Sequence, residues 1–111
     1  MPEPIQLGEF EHMVLLAILR LGESAYGVTI RAEMEERTGR DPAPGALYTT
    51  LDRLEDKGLV MSRLGDPTPQ RGGRAKRYFE ASAAGVEAVR HARRTYQRMW
   101  EGLTIPEVAR A

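Results

Sequence analysis

Residues 44–60 read Pro-Gly-Ala-Leu-Tyr-Thr-Thr-Leu-Asp-Arg-Leu-Glu-Asp-Lys-Gly-Leu-Val, a stretch with the start and stop signals of one helix. Pro44 suits the first helical turn, where its missing N–H costs nothing. Gly58 suits the left-handed position just beyond a helix end. Three leucines recur at intervals of four and three residues and share one face: Leu47, Leu51 and Leu54. The stretch therefore predicts a helix whose leucine face is turned to a core.

The face opposite the leucines is small or hydroxyl-bearing at its start and charged only later. At about 100° per residue it holds Gly45, Ala46, Thr49, Asp52, Arg53 and Asp56, with Tyr48 and Thr50 on its shoulders. A helix that presses on a flat polymer needs small and hydrogen-bonding groups there, and its N-terminal amides favour phosphate. Two interpretations stay open at this point: an ordinary surface helix with a short polar patch, or a helix that reads nucleic acid.

Composition limits the class of protein. A chain of 111 residues with 41% hydrophobic content predicts one compact domain with a modest core. Because 16 Lys and Arg balance 16 Asp and Glu, global charge gives no argument for nucleic acid. The lack of cysteine excludes disulfides and thiolate metal sites. The densest apolar run, Met13 to Leu19, is too short to cross a membrane, and no basic signal segment opens the chain. We expect a soluble, cytoplasmic protein without membrane contact.

Two helices precede the stretch quoted above. The first is expected over Leu7–Leu21, with the core stripe Phe10, Val14, Ala17, Ile18 and Leu21. Met13, Leu15, Leu16 and Leu19 make the rest of its surface apolar as well, so its second side should lie against another subunit. Ser24 can cap the second helix, expected over Ala25–Thr38. This helix and the one from Pro44 form a helix-turn-helix.

A hairpin and a last helix complete the pattern. Strands are expected at residues 59–64 and 75–81, and the segment from residue 71 to residue 77 carries Arg71, Arg74, Lys76 and Arg77 without an acidic residue. Such cations protect an exposed edge or lie along phosphates. The last helix, Ala83 to about Leu103 with Ser82 as cap, has a seam of Val86, Val89, Arg93, Tyr96, Trp100 and Leu103. Because a lone amphipathic helix has little else to pack on, we expect it to pair with a second copy. Tyr96 and Trp100 then either wall a pocket for a small aromatic effector or simply fill the interface.

The sequence contains no motif that indicates a catalytic site or a metal site. His12 and His91 have no second ligand at a metal-binding spacing, and no glycine loop lies between a strand and a helix. We therefore predict no enzyme, no metal and no cofactor.

The chain resembles the PadR-like family of winged-helix transcriptional regulators over about residues 7–103. Three local patterns carry the resemblance: Tyr26-Gly27; Gly45-Ala-Leu-Tyr-Thr-Thr-Leu-Asp-Arg-Leu-Glu-Asp-Lys-Gly-Leu-Val60; and Gly73-Arg-Ala-Lys-Arg-Tyr-Phe79 followed by Ser82-Ala-Ala-Gly85. In the last pattern Ser82 replaces the family's usual Thr and Ala81 a usual Leu. The resemblance implies a mainly α fold with a small β-hairpin, in which residues 1–81 form a winged-helix DNA-binding domain and residues 82–111 a C-terminal dimerisation helix.

The same resemblance implies a homodimeric regulator of a palindromic operator, usually a repressor released by a small ligand. The residues expected at double-stranded DNA are Tyr26, Pro44, Gly45, Ala46, Tyr48, Thr49, Thr50, Arg53, Arg71, Arg74, Lys76 and Arg77. Those expected at the dimer interface are Phe10, Met13, Leu16, Val86, Val89, Arg93, Tyr96, Trp100 and Leu103. Asp52 and Asp56 on the outer face keep an alternative open, a winged-helix protein-interaction module that reads no DNA.

Overall fold

The chain is described by a computed structural model over residues 5–66 and 75–107. Its elements are helices α1 (Glu9–Leu21), α2 (Gly27–Thr38) and α3 (Pro44–Asp56), strands β1 (Val60–Leu64) and β2 (Arg77–Ala81), and helix α4 (Ala83–Trp100). The two strands pair antiparallel, with Val60 opposite Ala81 and Leu64 opposite Arg77. The predicted fold class, mainly α with a small hairpin in a winged helix-turn-helix, is confirmed.

The core lies between α1, α2 and α3 and extends under the hairpin. Its fully buried side chains are Val14, Leu15, Ile18, Ile30, Leu47, Leu51, Leu54, Leu59 and Val60. The three leucines of α3 are thus on the buried face, as predicted. Pro44 is the first residue of α3, and Gly58 beyond its end has a φ of +75°, in the left-handed region that glycine favours. Local signals in residues 44–58 were sufficient to predict the bounds and the buried face of α3, because each signal acts within one or two helical turns.

The start of α2 differs from the prediction. Ser24 does not cap this helix; it closes a 3-10 turn, Gly22–Ser24, and its hydroxyl donates to the carbonyl of Leu21 at 2.8 Å. The N-cap is Tyr26, whose N–H donates to the Thr29 hydroxyl at 3.0 Å. Ala25 and Tyr26 are extended because they lie beside β2, where the Phe79 N–H donates to the Ala25 carbonyl at 2.9 Å. A pairing with a strand fifty residues away cannot be read from local sequence.

The position of α4 corrects the expectation for α1. Leu15 was assigned to a second subunit, but it is fully buried in the protomer's own core, and Val89 is only 8% exposed beside Ala88. The first turns of α4 lie directly on the end of α3 and the start of β1: the Ser82 N–H donates to the Leu59 carbonyl at 3.0 Å. The Ser82 hydroxyl caps α4 as predicted, accepting from the Gly85 N–H at 3.1 Å. Val89, one of the six residues of the predicted seam, is therefore buried inside the protomer.

The end of α4 comes one turn earlier than expected. The helix stops at Trp100, and Gly102 has a φ of +70°. The Leu103 N–H donates back to the Trp100 carbonyl at 2.9 Å, so Leu103 lies beyond the helix and does not extend its seam. Gly102 was the overlooked stop signal.

Neither a membrane span nor a metal cluster is found in the part of the chain that the structure describes. Across residues 5–66 and 75–107 no helix combines the length and apolarity that crossing a bilayer needs. The same ranges hold no group of three or more His, Asp or Glu able to bind a metal ion.

An ion pair joins the start of α1 to the end of α3. Glu11 is nearly buried; its carboxylate accepts from the Gly8 N–H at 2.9 Å and from Lys57 Nζ at 2.7 Å. Burial by itself would raise the pKa of Glu11, but the hydrogen bonds from Lys57 and Gly8 outweigh it and lower the pKa. The charged form of Glu11 therefore stabilises the folded chain.

We expect Glu11→Gln to lower the free energy of unfolding at neutral pH by about 1–2 kcal/mol, because Lys57 then loses its partner while remaining a third exposed. Since the pKa is lowered on folding, this contribution is complete above the ordinary pKa of glutamic acid and is lost as the pH falls through the folded value. Denaturant unfolding at a series of pH values measures it. Glu9→Gln is the matched control, because the Glu9–Arg40 pair is exposed and should be worth less. An equal loss of unfolding free energy in both variants would contradict the stabilising role of the Glu11–Lys57 pair.

Candidate nucleic-acid interface

Helix α3 presents to solvent the face that the sequence predicts. Its exposed residues are Pro44, Gly45, Ala46, Tyr48, Thr49, Asp52, Arg53 and Asp56. A Cβ placed on Gly45 would meet no heavy atom within 4 Å among the described residues, so the start of α3 is open as well as small. We call α3 the reading helix from here on.

Thr50 does not belong to this face. It is 5% exposed, and the expectation that its hydroxyl lies on a shoulder available to DNA is wrong. Thr50 follows Leu47 by three residues and precedes Leu54 by four, spacings that place it beside the leucine stripe. The packed side of α3 is therefore wider than its leucine stripe, and Thr50 belongs to it.

Three predicted side chains gather at the start of α2. Tyr48 of the reading helix lies against Gly27: a Cβ there would stand 2.2 Å from the Tyr48 hydroxyl oxygen. Lys76 Nζ lies 4.6 Å from the centre of the Tyr26 ring and 3.4 Å from its hydroxyl. The Tyr26 ring meets Tyr78 edge-on, with centroids 5.4 Å apart. Two phenols and an ammonium group thus stand together beside the first amides of a twelve-residue helix, a setting suited to phosphate oxygens.

The four cations assigned to the hairpin do not share one environment. Arg71 and Arg74 lie outside the described residues. Lys76 has no carboxylate within 4 Å among the described residues, so its charge is available. Arg77, in contrast, forms ion pairs with Asp52 and Glu55 of the reading helix. Sequence reasoning treated Arg77 as equivalent to Lys76, and it missed this pairing because the partners are more than twenty residues away.

A cleft between α1 and α4 collects most of the predicted interface residues. It has a volume of about 410 Å³ and is lined by His12, Leu16, Val89, Arg90, Arg93, Tyr96, Gln97 and Trp100. The two rings of the expected pocket, Tyr96 and Trp100, thus line one cleft. They are 64% and 59% exposed. Phe10 and Met13 instead pack partly on the protomer's own core, with the Arg40 guanidinium 5.8 Å above the Phe10 ring. Val86 is half-buried.

Sequence reasoning missed three residues: one lines this cleft, and two are exposed apolar side chains at or beyond the end of α4. Met99, 75% exposed, lies three residues after Tyr96 on α4, and Ile105 is exposed beyond the helix. His12 was treated as a chance histidine, yet it lines the cleft, and burial lowers its pKa. The spacing of Met99 from Tyr96 and of His12 from Leu16 was the available signal, since residues three or four apart share a helix face.

Comparison with known proteins identifies the relatives of this chain. Residues 15–91 match the family described as transcriptional regulator PadR-like. The chain belongs to this family. It is 37% identical over 76 residues to transcriptional regulator Rv3488 of Mycobacterium tuberculosis, which covers 67% of this chain and 64% of the relative. The chain thus spans less than two-thirds of the length of that curated relative.

Solved structures share the fold. The complex of hsRosR-S4 has a TM-score of 0.67 at 26% identity, covering 88% of this chain and 77% of the other. A PadR family transcription regulator from Clostridium difficile R20291 has a TM-score of 0.67 at 21% identity, covering 81% and 90%. The family and the relative Rv3488 are described as transcriptional regulators, in keeping with the prediction that the chain is not an enzyme.

Proposed function

We propose that this PadR-like chain is a repressor that binds a palindromic operator as a homodimer and releases it on binding a small ligand. The observation that carries the proposal is the open start of the reading helix beside Tyr26, Tyr48 and Lys76. Small residues let a helix approach base edges, while phenol and ammonium groups suit the phosphates on either side. Rv3488, a transcriptional regulator, is the relative that supports this role.

The proposed DNA contacts are a subset of those expected from sequence. Gly45, Thr49 and Arg53 would enter the major groove, with Pro44 and Ala46 against its walls. Tyr26, Tyr48 and Lys76 would contact phosphates. Arg71 and Arg74 lie outside the described residues, and their phosphate contacts stay a prediction from the sequence. Thr50 is withdrawn because it is buried.

Footprinting of the purified protein on the DNA upstream of its own gene tests the function. We expect two protected half-sites of opposite orientation, separated by about one helical turn of 10–10.5 base pairs or a multiple of it, because a two-fold dimer presents two reading helices. Protection of a single half-site would contradict the dimer. The absence of sequence-dependent protection on any duplex would favour the protein-interaction module instead.

The dimer would form through α1 and α4. In this proposal residues 1–81 are the DNA-binding domain and residues 82–111 the dimerisation segment. Leu16, Tyr96, Met99, Trp100, Leu103 and Ile105 are all large, apolar and at least 42% exposed. Leu16, Tyr96 and Trp100 line one cleft, and an apolar cleft of this kind on a small protein marks an interaction site. A second copy would cover it, and Arg93 would lie at the edge of the shared cleft.

The ligand would bind between the rings of Tyr96 and Trp100. Because ring faces accept both stacking and positive charge, a flat apolar or cationic molecule fits best. A ligand there would change the angle between the two α4 helices and hence the spacing of the reading helices.

Trp100 is the only tryptophan, so its fluorescence reports on this cleft alone. We expect planar aromatic compounds to quench it and to lower operator affinity over the same concentration range. The Tyr96→Ala protein serves as the control and should lose both responses together. Quenching without loss of DNA binding would indicate a pocket that does not regulate. A monomer in sedimentation would contradict the dimer and the switch.

A further inference from the structure

The hairpin is fastened to the reading helix by four side chains, which we call the hairpin clamp: Asp52, Glu55, Ser62 and Arg77. From β2, Arg77 donates through Nη1 to Asp52 Oδ1 at 3.0 Å and through Nη2 to Glu55 Oε1. From β1, the Ser62 hydroxyl donates to the other Glu55 oxygen, Oε2, at 2.5 Å. Glu55 is thus held by both strands at once.

The register of the hairpin places the clamp on one face of the sheet. Ser62 is opposite Phe79, and Leu64 is opposite Arg77, so Ser62 and Arg77 lie on the same face of the sheet, and both reach α3. Phe79 is 2% exposed, and the Arg77 guanidinium lies 4.8 Å above its ring. The hairpin clamp is therefore in contact with the core, because Arg77 packs on the ring of the buried Phe79.

The charges of the clamp disfavour a phosphate at Arg77. The hydrogen bond from Ser62, with those of Arg77, lowers the pKa of Glu55 against the opposing effect of burial, so Glu55 is ionised at neutral pH. One guanidinium then faces two carboxylates. A phosphate could approach Arg77 only by competing with both of them, whereas the neighbouring Lys76 is paired with no carboxylate among the described residues.

We propose that Arg77 is a positioning residue that sets the angle between the hairpin and the reading helix and does not contact phosphate. The inference rests on the proposed function, since the angle matters to DNA only when both elements contact it. Operator binding requires the reading helix and the hairpin to engage at one fixed spacing, while random DNA is held by phosphate contacts alone. Loosening the clamp therefore lowers affinity for the operator more than affinity for random DNA.

The first experiment compares Arg77→Gln with Lys76→Gln, adjacent cations in one chain segment, by measuring Kd on operator and random duplexes over a range of salt. Lys76→Gln should weaken both duplexes equally and reduce the salt slope of log K by about 0.9. Arg77→Gln should leave the slope unchanged and lower the ratio of operator to random affinity about tenfold, comparable with one mismatched base pair. A slope reduced as in Lys76→Gln would overturn the proposal.

Two further variants distinguish a positioning role of Arg77 from a phosphate contact. Removing the acids in Asp52→Asn/Glu55→Gln breaks the clamp, so the ratio of operator to random affinity should fall. If Arg77 instead contacted phosphate, the same double variant would free it, so affinity for operator and for random DNA would rise together and their ratio would stay unchanged. Arg77→Lys adds a further check: an ammonium cannot serve both carboxylates in a fixed fork and should restore the ratio only in part. A ratio that stays at the parental value in both Arg77→Gln and Arg77→Lys would point to a simple phosphate contact.

Hydrogen exchange on the DNA-free protein separates the clamp from the proposed function. Arg77→Gln should accelerate amide exchange in β1 and β2 while leaving α1 unchanged, and the melting temperature of each variant shows that it is folded. Unchanged exchange in the hairpin would overturn the clamp itself. If the parent protein bound no operator, the proposed function would fail, and accelerated exchange would still establish the clamp as a feature of the fold.

Discussion

Gly45→Trp should reduce operator affinity to the level of random DNA, a loss of about 10³-fold or more, while the protein stays folded. Gly45 is the second residue of the reading helix and is exposed, and a Cβ placed there meets nothing within 4 Å among the described residues. The folded protein can therefore accept an indole at this position. A major groove that receives the start of the helix cannot, because the ring would hold the backbone away from the base edges.

The matched control for this variant is Ala84→Trp. Ala84 is also the second residue of its helix, α4, and is also exposed, so it tests the cost of an indole at the same helical position. We expect both proteins to melt within a few degrees of the parent and only Gly45→Trp to lose the operator. Binding of Gly45→Trp at parental affinity would show that the start of the reading helix does not enter the groove.

Gly85→Ala should be the most destabilising single methyl group in the described part of the chain. Its Cβ would stand 2.1 Å from the carbonyl oxygen of Leu59 and 3.1 Å from the carbonyl carbon. Leu59 is fully buried, and its carbonyl already accepts from the Ser82 N–H, so this backbone cannot move aside without breaking the junction of α3, β1 and α4. We expect a loss of about 3 kcal/mol, which corresponds to a fall in Tm of roughly 10–20 °C.

Gly27→Ala is the control for Gly85→Ala, since both contacts are equally short but their partners differ. A Cβ on Gly27 would stand 2.2 Å from the hydroxyl oxygen of Tyr48, the far end of a half-exposed side chain that can rotate away. Its cost should stay below about 1 kcal/mol. Calorimetry on the two variants measures their loss of stability. Equal losses would show that the Leu59 backbone yields as easily as a side chain.

Local sequence was sufficient wherever one turn of chain carries the whole signal. Pro44 and Gly58 marked the reading helix to the residue, and Ser82 marked the start of α4, because a missing N–H, a positive φ and a hydroxyl cap each act on their immediate neighbours. The exposed face of the reading helix followed from helical periodicity alone. The order of elements and the resemblance to the PadR-like family completed the fold and the place of the candidate site.

Only the tertiary structure decided which groups meet across long separations in the chain. It buried Thr50, Leu15 and Val89 inside the protomer, although helical periodicity places them on faces open to DNA or to a second subunit. It moved the cap of α2 from Ser24 to Tyr26, because that segment pairs with β2. Amphipathic periodicity indicates that a helix face is apolar, but it does not indicate which neighbouring element covers that face. For the same reason sequence identified Arg77 as a cation, while packing against the reading helix supplied the two carboxylates that neutralise it.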